Sequence, residues 1–76
     1  MNKARRKRIE KVVNLLEELR DELESVKEDE QSAYDNMPDS LQDSERGDSM
    51  QDAIDTLDEI NTDFENLIES VNSLLE

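Results

Sequence analysis

The fold is decided by residues 50–75, MQDAIDTLDEINTDFENLIESVNSLL. Apolar side chains recur in this stretch in alternating steps of three and four residues, at Met50, Ala53, Leu57, Ile60, Phe64, Leu67, Val71 and Leu74. An average step of 3.5 residues keeps one apolar stripe on one side of an α-helix, and another helix must cover that stripe. The stretch therefore predicts a long helix with a coiled-coil-like seam.

The first half of the chain carries a matching ladder. Its members are Ile9, Val12, Leu16, Leu19, Leu23, Val26, Glu30, Ala33 and Met37. Glu30 is the one polar member, so either it sets the register or oligomeric state of the seam, or the seam frays near the turn. Two ladders separated by a segment that contains Pro38 predict an all-α fold, an antiparallel helical hairpin.

We expect a single domain with helix one at about residues 3–36, a connection over residues 37–49, and helix two at about residues 50–75. The connection contains two S-x-x-D patterns of a helix start, at Ser40 and at Ser49, so a short turn is expected before helix two. In antiparallel helices of equal rise, facing residues would have numbers that add to about 87. This register would leave the basic N-terminal segment overhanging the end of helix two.

Both helices have apolar residues beyond one seam, and this predicts self-association. The additional residues are Val13, Leu15 and Tyr34 in helix one and Ile54, Ile68 and Leu75 in helix two. One hairpin cannot cover all of them, so we expect a homodimer that forms a four-helix bundle. The residues expected in the oligomer seam are Leu16, Leu19, Leu23, Leu57, Ile60, Phe64, Leu67 and Val71.

The composition argues against catalysis. The chain has 76 residues and contains no cysteine and no histidine, which removes disulfides, the usual zinc ligands and the common nucleophile and base arrangements. Acidic residues are plentiful, but the spacing of a calcium loop is missing. We therefore expect no enzyme, no metal site and no cofactor. The sequence also predicts no signal peptide and no membrane segment, and hence a cytoplasmic location.

The acidic exterior of helix two is the first candidate binding surface. Its members are Asp48, Asp52, Asp55, Asp58, Glu59 and Asp63. Carboxylates repeated along a rigid rod resemble the charge pattern of a nucleic-acid backbone, so this side could occupy the basic groove of a nucleic-acid-binding protein. No lysine or arginine follows Met50, although exposed helices usually mix both signs. The alternative is a solvated exterior that only provides solubility.

The basic head, which we define as Arg5, Arg6, Lys7 and Arg8, is the second candidate. Residues 1–11 carry a net charge of +5, whereas the whole chain carries −13. The head could contact phosphate, a membrane surface or an acidic partner, or it could complement Glu65, Glu69 and Glu76 of helix two. No aromatic residue lies near it to stack on bases, so direct nucleic-acid binding is not expected.

The opening MNKARRKRIEKV, residues 1–12, and the central DNMPDSLQDSERG, residues 35–47, resemble a family of short, acidic, uncharacterised proteins of bacteriophages and prophages. The resemblance implies a host cell as the setting, where small phage proteins of this charge often inhibit host machinery or host defence, as anti-CRISPR proteins and DNA mimics do. The resulting hypothesis is a phage-type inhibitor whose acidic face blocks a basic host protein. A structural assembly module and a small regulator acting through the basic head are the alternatives.

Overall fold

The computed structural model describes all 76 residues, and its secondary structure consists of helices alone. Helix α1 spans Lys3–Asp35, α2 spans Asp39–Gln42 and α3 spans Glu45–Asn72, followed by a single 3₁₀ turn at Ser73–Leu75. The long helices α1 and α3 lie side by side in a rod that is 59 Å long and 15 by 13 Å across. The predicted all-α class and the pair of long helices are confirmed.

Local signals account for the start and the end of α1. The side chain of Asn2 accepts a hydrogen bond from the backbone N–H of Arg5 at 2.9 Å, which satisfies one of the free amides of the first turn. At the other end, Pro38 disfavours a helical backbone at the residue before it, and α1 ends at Asp35. The observed bounds agree with the predicted residues 3–36 within one residue.

Helix α3 begins five residues earlier than predicted, at Glu45. Neither S-x-x-D pattern marks a helix start, because Ser40 lies inside α2 and Ser49 lies inside α3. The N-cap is Ser44, whose hydroxyl oxygen accepts a hydrogen bond from the backbone N–H of Gly47 at 3.4 Å. Acidic residues in the first turn favour this earlier start through the helix dipole. The expected short turn near Ser40 is present as α2.

The contacts between the long helices show their relative direction. The guanidinium of Arg6, in the second turn of α1, donates to the backbone carbonyl of Leu75, whereas Tyr34 near the end of α1 accepts from the side chain of Gln42 at 2.9 Å. The two helices therefore run in opposite directions. In the middle of the rod, Lys27 contacts Asp58 and Glu24 contacts Asn61, so the residue numbers of each facing pair add to 85. The predicted sum of 87 is wrong by two residues.

The inner seam follows a heptad frame that differs from the predicted one at every second position. Its buried and half-buried members are Ile9, Val13, Leu16, Arg20, Leu23, Lys27, Glu30 and Tyr34 in α1 and Met37 just after it, together with Gly47, Met50, Ile54, Leu57, Asn61, Phe64, Ile68 and Val71 in α3 and Leu75 in the 3₁₀ turn. Three of them, Val13, Ile54 and Ile68, are the buried apolar core. All of the residues that the sequence suggested as additional, except the exposed Leu15, thus belong to the seam inside one chain.

The displaced half of the predicted ladders lies outside this seam. These residues are Val12, Leu19, Val26 and Ala33 in α1, Ala53, Ile60 and Leu67 in α3, and Leu74 in the 3₁₀ turn. All are exposed except Ile60, which is half-buried. Each helix has an apolar stripe wider than one helix–helix contact can cover, so a small rotation of the helices decides which half of the stripe is enclosed.

Candidate functional site

One side of the rod is an apolar face. We define it as Val12, Leu15, Leu19, Val26, Ala33, Ala53, Ile60, Leu67 and Leu74. All but Leu15 immediately precede an inner seam position, and such positions of two antiparallel helices flank the seam on the same side. The side chains are well exposed, with Leu19 at 54% and Leu67 at 48% of their full accessible area. A continuous exposed apolar row of this length is typical of a protein-binding surface.

The opposite side of the seam is polar and holds a cross-helix cluster. The cluster consists of Glu24 and Lys27 in α1 and Asp58 and Asn61 in α3. The Lys27 ammonium lies 3.0 Å from the Asp58 carboxylate and 3.7 Å from the Glu24 carboxylate. The amide of Asn61 donates to Glu24, although Asn61 is only 7% exposed and its carbonyl oxygen has no hydrogen-bond partner. Because these groups satisfy one another in one alignment of the helices, the cluster favours the observed register.

The pKa of the Lys27 ammonium is raised above its usual 10.5, chiefly by the hydrogen bond to Asp58 and further by the negative charges of Asp58 and Glu24. Partial removal from water opposes this shift. A raised pKa in the folded state means that the contact stabilises the fold below the pKa of the unfolded chain. The contribution is lost as the pH rises through the folded-state pKa, above 10.5.

This linkage gives a testable pH dependence. We expect the melting temperature to fall more steeply above pH 10.5 in the wild-type protein than in Lys27→Gln, which has no ammonium to lose. Lys11→Gln is the matched control, because Lys11 is exposed and forms no ion pair, and it should keep the wild-type slope. Thermal unfolding followed by circular dichroism measures the slopes. If the melting temperature falls equally steeply with pH in the wild type and in Lys27→Gln, the ion pair of Lys27 does not contribute to stability as described.

All six members of the acidic exterior of α3 are exposed, as predicted, and five of them form no ion pair. Asp48, Asp52, Asp55, Glu59 and Asp63 are exposed and form no ion pair. Successive members are three or four residues apart, so they follow one side of the helix at intervals of about 5 to 6 Å. The sixth member, Asp58, belongs to the polar cluster with Lys27. The five unpaired carboxylates, which we call the acidic face, leave an uncompensated negative surface along α3.

The residues of the basic head differ in their surroundings. Arg6 is half-buried and bonded to the carbonyl of Leu75, so the expectation that the whole head overhangs α3 is wrong. With facing residues whose numbers add to 85, Glu76 comes level with Ile9, so the long side chain of Arg6 reaches the carbonyl of Leu75. Arg5, Lys7 and Arg8 remain exposed and make no ion pair with Glu65, Glu69 or Glu76. A shallow groove, which we call the basic groove, is lined by Met1, Arg5, Arg8, Ile9, Lys11 and Val12.

No three acidic side chains come close enough together to hold a metal ion. Neither long helix contains a segment apolar enough to cross a lipid bilayer. Comparisons with protein-family models, curated proteins and solved structures gave no match to this chain.

Apolar periodicity did not predict the polar cluster, although the sequence contains a signal for it. Ile54 and Ile68 are fourteen residues apart in one heptad row, and Asn61 occupies the position halfway between them. The same row in α1 runs from Val13 to Tyr34 through Arg20 and Lys27. Polar side chains at these positions concealed the row, because a search for apolar periodicity passes over an amide or a long charged side chain whose stem packs in a seam.

Proposed function

We propose that this protein is an antiparallel helical hairpin that binds a basic, nucleic-acid-binding protein through its acidic face and thereby blocks access of nucleic acid. The observation that carries the proposal is the row of five exposed, unpaired carboxylates, with no lysine or arginine from Met50 to the end of the chain. A rigid helix holds these charges in order, so a basic groove shaped for a phosphate backbone would meet a matching row of anions.

The resemblance of residues 1–12 and 35–47 to short phage proteins suggests the setting for such binding. The partner would then be a host protein with a nucleic-acid groove, and the inhibitor would act as a DNA mimic, as some anti-CRISPR proteins do. The acidic face needs no catalytic group for this function. Its affinity should fall steeply with ionic strength, because the attraction operates between exposed charges.

Reversing the acidic face should abolish this binding. We expect Asp52→Lys, Asp55→Lys and Glu59→Lys together to weaken capture of the partner by about a hundredfold or more, since like charges would then face each other. The measurement is recovery from host lysate on the immobilised protein at several salt concentrations, with mass spectrometry identifying what is bound. Circular dichroism verifies that the variant remains helical.

The matched control makes the same change of charge on α1. Glu18→Lys, Glu22→Lys and Glu28→Lys alter three exposed residues that form no ion pair. This control should retain most of the captured partner. If the α3 triple variant still binds and inhibits the partner, the acidic face is a solvated surface and the mimicry proposal is wrong.

The apolar face favours a second function, that of an assembly module. A single hairpin leaves these nine side chains in contact with water, whereas pairing two hairpins through this face would bury them in a four-helix bundle. We propose that the chain forms such a homodimer. Association through this face should survive high salt, which distinguishes it from binding through the acidic face.

A further inference from the structure

The two ends of the rod carry opposite charge. Residues 1–11 contain six lysines and arginines and one acid, whereas residues 35–48, around α2, contain five acids and one arginine. Because Arg6 lies beside Leu75 and Tyr34 lies beside Gln42, these segments occupy opposite ends of the 59 Å rod. Screening acts over about 8 to 10 Å at ordinary ionic strength, so the ends cannot neutralise each other within one chain.

The apolar face lies between the charged ends. In α1 it runs from Val12 to Ala33, and its midpoint falls between residues 22 and 23. If a second copy stacks on this face in the opposite direction about that midpoint, the facing α1 residues have numbers that add to 45. Residue 10 of one copy then lies level with Asp35 of the other, the last residue of α1, so the basic head of one copy lies beside the segment around α2 of the other.

We propose that the apolar face is covered by a second copy of the same chain that runs in the opposite direction. The basic groove of each copy then receives the acidic α2 end of the other. The groove combines Arg5 and Arg8 with apolar Met1 and Ile9, and the α2 end offers Leu41, which is 47% exposed, between Asp39 and Asp43. The proposal rests on the homodimer of the proposed function and specifies its orientation.

Charge complementarity selects this arrangement over a parallel one. A parallel pair would cover the same apolar side chains but would place the two basic heads together and the two acidic ends together. Like charges in contact oppose association, whereas the antiparallel pair joins opposite charges at both ends through the same two-fold axis. The apolar face therefore supplies the contact, and the charged ends supply its direction.

Spin labels can measure the orientation, because the chain has no cysteine of its own. Glu22→Cys places a label near the midpoint, and the distance between copies should be under about 20 Å. Lys7→Cys places a label near one end. In the antiparallel dimer the two labels lie on opposite sides of the midpoint, each about 15 residues away from it along α1, so they should be about 45 Å apart. Pulsed electron paramagnetic resonance measures both distances, and a short distance at both sites would overturn the proposal.

A charge exchange within one chain provides an independent test. Arg5→Glu with Arg8→Glu should weaken dimerisation by about tenfold to a hundredfold at low salt, because both ends lose their ion pairs. Adding Asp39→Lys and Asp43→Lys to the same chain should restore it. Lys3→Glu with Lys7→Glu, outside the groove, is the matched control and should have the smaller effect. Sedimentation measures the dimer, and circular dichroism verifies the helices.

The outcomes separate this inference from the proposed function. If the wild-type chain dimerises but the charge exchange does not restore dimerisation of the variant, the proposed orientation is wrong and the homodimer still stands. A chain that stays monomeric, with its apolar face left for a different protein, overturns both the orientation and the homodimer. Capture of a basic protein by the acidic face is measured with different variants and is unaffected by either result.

Discussion

Ile54→Ala should lower the free energy of unfolding by about 2 to 4 kcal/mol, because the change removes packed atoms and leaves a cavity between the helices. Ile54 is 6% exposed and is one of only three buried apolar side chains in the chain. Small domains have total stabilities of about 5 to 15 kcal/mol, so the loss would be a large share of the whole. Urea unfolding followed by circular dichroism measures it, at a protein concentration low enough to keep the chain monomeric.

Leu67→Ala is the matched control for this prediction. It removes a similar amount of apolar side chain, but Leu67 is 48% exposed and belongs to the apolar face. We expect a smaller loss of stability in the monomer and a clear weakening of dimerisation, which sedimentation detects. Phe64→Ala, at an inner seam position, should behave like Ile54→Ala. If Leu67→Ala loses as much monomer stability as Ile54→Ala, the inner seam does not have the heptad frame that the structure shows.

Gly47→Ala should destabilise the protein, although alanine is the better helix former by about 1 kcal/mol. A Cβ atom at Gly47 would lie 2.0 Å from the carbonyl oxygen of Gln42 and 2.6 Å from its carbonyl carbon. Because these are backbone atoms, the junction between α2 and α3 would have to move. Such overpacking costs about 1 to 3 kcal/mol or more, which exceeds the gain in helix propensity.

Ser49→Ala measures the effect of higher helix propensity without any change in packing. Ser49 is exposed and lies two residues further along the same helix, and it already carries a Cβ atom, so the change to alanine adds no new atom. This variant should be as stable as the wild type or slightly more stable, by a few tenths of a kcal/mol. Chemical unfolding measures the free energy of unfolding of both variants. If Gly47→Ala gains stability as Ser49→Ala does, the close packing of α2 against α3 is not needed for the fold.

Local signals in the amino-acid sequence were enough to predict the class of fold and the limits of α1. Heptad spacing on either side of Pro38 predicted two long helices, because a period of 3.5 residues is incompatible with a strand. Pro38 and Asn2 act locally, through the backbone of their immediate neighbours, so the bounds of α1 were predicted within one residue. The exposure of the acidic face was predicted for the same reason, since helical periodicity places Asp52, Asp55 and Glu59 away from the seam.

The start of α3 depended on tertiary contact. Three serines precede possible first turns, and each can cap a helix by local chemistry. The structure selects Ser44, and Gly47 then lies against the backbone of Gln42, where no larger residue fits. The close approach of two backbone segments has no periodic signature in the sequence, so the five additional residues of α3 were missed.

Packing between the two long helices also selects which heptad frame faces inward. Both frames share Leu16, Leu23, Leu57, Phe64 and Val71. Because only every second position differs, by one residue, the frames are related by a rotation of each helix of about 50°, half of the roughly 100° step between residues. Periodicity favoured the frame with the fewest polar members, which contains Leu19 and Leu67. In the structure, Lys27 and Asn61 bind partners on the opposite helix. The frame that contains these polar residues therefore forms the seam within one chain, and the apolar residues of the predicted frame, such as Leu19 and Leu67, are left exposed. Polar groups in a seam are tolerated only when their partners are present, and the pairing of two distant helices is what supplies those partners.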